Sequence, residues 1–201
     1  METRPMVSAT FLGTSSAFST TVKRRFMFVL VLTFGILPLQ CATLERLSLD
    51  DMIAQSTSIV RGKVASSYAA YSGSVIYTHY SIQVFETLKG SAAGTVEVAV
   101  PGGTVGTLRQ SFGGAPVLHA GDQYVFFLWT SKSGLTQVIG LTQGLFSVAQ
   151  DGTTDPTTTR RASRERMIDP ATGEPVNDKT LVMPLSQLRA RIHSRLGSAA
   201  K

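Results

Sequence analysis

The stretch YVFFLW, residues 124–129, decides how this sequence folds. It is short, continuously apolar and aromatic, which is the mark of a central strand covered on both sides. Downstream, LTQVIGL (135–141) and LFSVAQ (145–150) are split by Thr142-Gln143-Gly144 and read as two more strands of an antiparallel sheet. Upstream, TVEVAVPGG (95–103) turns Val96, Val98 and Val100 inward. VIYTHYSIQVFETLKG (75–90) sets Ile76, Tyr80, Ile82 and Val84 against His79, Ser81 and Gln83, the alternation of a half-buried strand that ends at Lys89-Gly90. IVRGKV (59–64) is a further β-branched run, followed by a Ser/Ala/Tyr/Gly loop through SSYAAYSGS (66–74). The glycine-rich segment 102–122 reads as turns with one short strand at Thr107–Ser111.

Helices frame these strands. In LSLDDMIAQS (47–56), Ser48 stands three positions before Asp51, a capping-box start, and Leu49, Met52 and Ile53 share a face. Near the end, MPLSQLRARIHSRL places Leu185, Leu188, Ile192 and Leu196 at helical spacing, with Arg189, Arg191 and Arg195 elsewhere and in water. Strands at even spacing, glycine turns and no alternating helices predict a mainly β chain. The expected architecture is a small antiparallel OB-like barrel of five or six strands, with a short N-terminal helix and a C-terminal amphipathic helix. The organisation expected is an N-terminal extension and signal peptide (1–42), a β-barrel domain (43–150), a polar loop or hairpin arm (151–183) and the C-terminal helix (184–201). Within the arm, IDPATGEPV has a turn suited to a hairpin tip.

Lys23, Arg24 and Arg25 precede an apolar run from Phe26 to Leu39, and small or polar residues follow. That is the pattern of a secretory signal peptide, and the run is shorter than the roughly 20 residues a membrane-spanning helix needs. The expected location is periplasmic or extracellular. Residues 1–22 fit no part of a signal, and a start at Val22 would give one of ordinary length; a peptide from residues 1–21 found by mass spectrometry would exclude that start. Beyond residue 42 the chain has 15 basic and 12 acidic residues. Residues 43–159 carry 6 basic and 8 acidic groups and residues 160–201 carry 9 and 4, so the basicity belongs to the tail. A nucleic-acid partner is not expected, because such a partner calls for a basic stripe on the folded face.

No motif assembles a catalytic or metal set. His79, His119 and His193 have no second ligand at zinc spacing, and no G-x-S-x-G occurs. PGGTVG (101–106) lacks the lysine of a phosphate loop, and DGTTD (151–155) lacks the ligands of a calcium loop; both read as turns. No cofactor is expected. RRASRERM offers Arg160, Arg161, Arg164 and Arg166 as an interaction patch for an acidic partner or anionic head groups, against the alternative of a solvated arm. Tyr68, Tyr71, Tyr77 and Tyr80 suit either a binding platform or cross-strand packing, with only Arg61 and Lys63 as basic neighbours.

SIVRGKV (58–64), YTHYSIQVFETLKG (77–90), the valine-rich strand and GDQYVFFLW (121–129) together resemble the OB-fold barrel of netrin-like modules and of tissue inhibitors of metalloproteinases. The arrangement also looks like that of many secreted bacterial proteins, and it covers roughly residues 43–149. In those inhibitors an N-terminal cysteine chelates the target's zinc and is pinned by a disulfide. The resemblance places Cys41 there if cleavage falls after Gln40, but this chain has one cysteine and no partner for it. Cys41 and Ala42 also mark the alternatives of signal processing and lipidation, although Pro38, Leu39 and Gln40 depart from the small residues of a lipoprotein signal. The function expected is a secreted, non-enzymatic, monomeric OB-like protein that binds a protein or cell-surface partner and meets the membrane only through its signal or a lipid on Cys41. The alternatives are a hydrolase with a site assembled from distant loops, such as His119 with Asp122, and a metalloprotease inhibitor.

Overall fold

A strand apolar on both faces must be sandwiched, and in the computed structural model the strand containing YVFFLW is. The structure describes residues 43–92 and 94–199, part of the compact unit Cys41–Lys201. The segment expected to be a signal peptide, Cys41 and Ala42 lie outside the described residues.

The elements in chain order are β1 (Thr43–Glu45), α1 (Leu49–Gln55), β2 (Ser58–Ser72), β3 (Val75–Lys89), β4 (Thr95–Pro101), β5 (Gly103–Val105), β6 (Leu108–Gln110), β7 (Gln123–Thr130), β8 (Thr136–Val138), β9 (Leu145–Val148), β10 (Thr157–Arg160), β11 (Arg166–Ile168), β12 (Pro175–Val176), β13 (Leu181–Pro184) and α2 (Leu185–Ala199). The main sheet has eight strands. Its order is β13-β10-β9-β7-β2-β3-β4, with β8 also paired to β7, and the pairs along it are antiparallel. In β7, Phe126 and Leu128 enter one apolar cluster with Val60, Ile82, Val98 and Val138. Val125 and Phe127 point the other way, into a second cluster with Ile59, Phe146, Leu188 and Ile192. All four of these β7 side chains are fully buried.

The helices cover the second cluster. Ser48 caps α1 with the full capping box, its side chain accepting from the Asp51 N–H while the Asp51 carboxylate accepts from the Ser48 N–H. Met52 and Ile53 are buried beneath it. In α2, Leu185, Leu188 and Ile192 face inward as their spacing predicts. Two of its arginines are not free in water: Arg189 makes a bidentate pair with Glu86 on β3, and Arg191 makes another with Asp50 on α1.

Three expectations need correction. The sheet is not closed into a barrel: no ladder of hydrogen bonds joins β4 to β8 or to β13 among the described residues. β4 comes close to β8, but Ala99–Pro101 and Gln137–Val138 are separated by a narrow gap that Pro116 also lines. Second, SSYAAYSGS is not a loop. β2 runs to Ser72 and turns at Gly73-Ser74 into β3, with Gly73 at φ +63. A positive φ at the first of two turn residues is the type II′ hairpin pattern. The segment carries no apolar alternation because most of it is exposed, so its order comes from ladder bonds to β3. Third, the polar loop or hairpin arm expected at 151–183 is partly built into the main sheet. β10 joins the main sheet between β9 and β13, and Thr158 and Arg160 are buried. The expected hairpin does form, as β11 and β12, with β1 added in parallel.

Candidate functional site

Where β7 begins and β10 ends, the chain leaves a cleft of about 800 Å³. One wall is the loop Gly114–Tyr124 and the other is the crossing segment Arg161–Glu165; Leu118, Leu145 and Val148 contribute its apolar lining.

Turn chemistry builds the first wall. The Asp122 N–H donates to the His119 carbonyl at 3.1 Å, and Gly121 has φ +95, so His119–Asp122 is a tight turn with glycine at the third position. The Gly121 N–H donates to Val64 O and the Val64 N–H to Asp122 O, which tie the turn to β2. A turn brings its first and fourth side chains together, and His119 Nδ1 lies 3.5 Å from Asp122 Oδ2. The Tyr124 hydroxyl donates to that same Oδ2 at 3.1 Å. Burial pushes the Tyr124 phenol up to about 12; the Asp122 charge and hydrogen bond add to the rise and the positive charge of Arg161 opposes it.

The second wall hangs on a buried ion pair. Arg160 forks onto Asp178 at 2.9 and 2.7 Å and gives a third bond to Lys179 O. The Asp178 carboxylate also accepts from the Ser163 and Lys179 N–H groups. Burial acts to raise the Asp178 pKa, but the Arg160 hydrogen bonds and charge with those two N–H groups hold it below the ordinary carboxylate value. Clamped this way, residues 161–165 line the cleft and Glu165 lies against Gly114. A Cβ added at Gly114 would stand 2.7 Å from Glu165 Cγ, so that glycine makes the approach possible.

The four-arginine patch therefore divides. Arg160 is 4% exposed and structural, because its guanidinium is consumed by Asp178. Arg161 and Arg164 line the cleft, and Arg166 sits exposed on β11, outside the lining. His119 and Asp122 stand in one turn, three residues apart rather than on distant loops, at a separation longer than a normal hydrogen bond. Tyr124 and Glu165 had no motif to announce them; only the two-residue spacing of Asp122 and Tyr124 at a strand start hints that they share a face. DGTTD forms turns: Asp151 accepts from Thr153, and Asp155 accepts from the backbone and hydroxyl of Ser186 in the first turn of α2.

Among the described residues, no three His, Cys, Asp or Glu side chains gather as a metal site, and no helix is long and apolar enough to cross a membrane. Comparison of the chain with known protein families, with curated proteins and with solved structures finds no match.

Proposed function

We propose that this chain is an exported, non-enzymatic binding protein that holds a protein or cell-surface partner in the cleft between the 114–124 loop and the 161–165 segment. The observation that carries this reading is the mixed chemistry of that cleft, whose lining joins Leu118, Leu145 and Val148 to Arg161, Arg164, Asp122 and Glu165. Anchors in a preformed pocket with charges at its rim suit recognition. Of the hydroxyls that line the cleft, Ser147 donates to Thr159 O, Ser163 accepts from the Glu165 N–H, and Tyr124 donates to Asp122 rather than to His119. A phenol pushed up to about 12 is a poor nucleophile near neutrality.

β7, β2, β3, β4 and β8 surround one apolar cluster, and β4 approaches β8 as neighbouring barrel strands would, which supports an incomplete OB-like barrel filled by Phe126, Leu128 and Val98. Export rests on the signal-like segment at Lys23–Leu39.

A photo-crosslinker placed at Val117, 73% exposed on the cleft lip, tests the proposal in the cells that make the protein. Trp129 is the control site, five residues along β7 from Tyr124 and so roughly 17 Å away at 3.4 Å per residue. One discrete partner joined through Val117, absent at Trp129 and lost in Arg161→Glu/Arg164→Glu, is the expected result. Equal labelling at both sites overturns it. The enzyme reading rests on the His119–Asp122 pair. Hydrolysis of ester or peptide probes by the full chain, abolished in His119→Ala, would replace the binding reading with that one.

A further inference from the structure

We propose that the outer face of β2, β3 and β4 carries a second binding site, for an arginine side chain of a partner protein. Register places its parts side by side: Tyr68 pairs with His79 and His79 with Ala99, while Ser66 pairs with Ser81 and Ser81 with Glu97. Residues opposite one another in a ladder share a face, as do residues two apart along a strand. Tyr68, Tyr77, His79 and Glu97 therefore project together on the side away from Tyr80, Ile82 and Val98, which are buried.

The rings and the carboxylate are fixed. Tyr68 stacks on His79 with centroids 4.9 Å apart and planes 8° from parallel, and Tyr77 stands tilted against the same imidazole at 6.5 Å. The Tyr68 hydroxyl donates to Glu97 Oε2 at 2.9 Å, and His79 Nδ1 lies 2.9 Å from Oε1. A carboxylate only accepts, so the proton in this contact sits on His79 Nδ1. The Tyr68 hydrogen bond, with the single hydrogen bond and the coulombic attraction of His79, outweighs desolvation and holds the Glu97 carboxyl below its ordinary value.

What remains open is a π face and an anion. Tyr68 is 56% exposed, and each Glu97 oxygen keeps lone pairs beyond the bond it already accepts. The negative ring face and the carboxylate attract the same kind of guest, a cation. The basic side chains of these strands are Arg61, Lys63 and Lys89. Arg61 lies over Phe85 at 6.0 Å, Lys89 donates to the Ile53 and Ala54 carbonyls, and Lys63 pairs beside Gln83 rather than Glu97. Among the described residues, no lysine or arginine pairs with Glu97. A planar guanidinium is the better fit than an ammonium, since it can stack flat on Tyr68 while its edge forks onto the carboxylate. The same charge repels phosphate, which separates this face from a nucleic-acid platform. It shares no residue with the cleft and does not depend on the reading of it.

The test is a titration of the isotope-labelled full chain, followed by NMR, with N-acetyl-arginine methylamide and with its neutral isostere, N-acetyl-citrulline methylamide. The arginine compound should shift the resonances of Tyr68, Tyr77, His79 and Glu97, and the citrulline compound should leave them in place. Glu97→Gln and Tyr68→Ala should each weaken binding by about 3–5-fold, the size of one exposed cation–π or ion-pair contact. Tyr68→Phe keeps the ring and should retain most of the affinity, so the conclusion survives if Tyr68→Ala disorders the hairpin. Equal shifts with citrulline, or an unchanged affinity in Glu97→Gln, overturn the proposal.

Discussion

Replacing Asp178 with alanine should do more damage than any surface substitution in the chain, and its size follows from what surrounds it. The Asp178 and Arg160 side chains are 2% and 5% exposed. The carboxylate accepts two bonds from Arg160 and one each from the Ser163 and Lys179 N–H groups. Asp178→Ala leaves a guanidinium buried with only Lys179 O as partner. Breaking one side of a buried pair costs about 3–5 kcal/mol. With a urea m-value of about 2 kcal/mol/M, the unfolding midpoint should fall by roughly 1.5–2.5 M. The double replacement Arg160→Met/Asp178→Leu should recover most of the loss, because removing both charges also removes their desolvation cost. The pH dependence has a definite sign. The folded Asp178 pKa lies below its unfolded value, so the stabilisation is fully present above the unfolded value and is lost as pH falls through the folded one. A loss under about 1 kcal/mol in Asp178→Ala, the level of an exposed ion pair, would refute the reasoning. So would a double replacement no better than the single one.

Gly62→Ala should unfold the β2–β3 pairing at its bulge, since a Cβ there would stand 2.5 Å from Gln83 O and 2.7 Å from Ile82 Cγ2. A cost above about 2 kcal/mol in urea unfolding is expected for such overpacking. Ser48→Ala should cost about 1 kcal/mol by removing the α1 cap, with Ser48→Gly milder, as thermal unfolding will report. Ultraviolet titration of phenolate absorbance, differenced against Tyr124→Phe, should place Tyr124 near 12, and Arg161→Gln should raise it further. Because the folded value is the higher one, that group's contribution to stability is complete below the unfolded tyrosine value and fades as pH rises towards 12.

The apolar strands were legible because burial writes itself into sequence. YVFFLW reads as a strand covered on both faces, and Val125 and Phe127 do lie on one core with Phe126 and Leu128 on the other. Ile76, Tyr80 and Ile82 alternate inward, Ser48 caps α1, and the α2 spacing finds its buried face. What stayed hidden has no local signal. Ala65–Ser72 is mostly exposed and extends β2 through ladder bonds to β3, so no apolar period marks it. Arg160 sits among three other arginines with nothing to show that it alone turns inward; its partner lies 18 residues on. Arg189 and Arg191 look solvated on a helix because their carboxylates are 103 and 141 residues away. The His119–Asp122 pair is suggested by turn spacing, but the cleft around it needs β10 to return beside β9, and a polar stretch such as TTTR does not declare itself a strand.

If the cleft holds a partner, the 114–124 loop and the 161–165 segment bind it as one surface. Amide hydrogen exchange of the full chain, alone and with the partner joined through Val117, measures this directly. The expected result is added protection in both segments together, lost in both with Asp178→Ala at a urea concentration where the fold persists. Protection confined to one segment, or found elsewhere with the cleft unchanged, would contradict it.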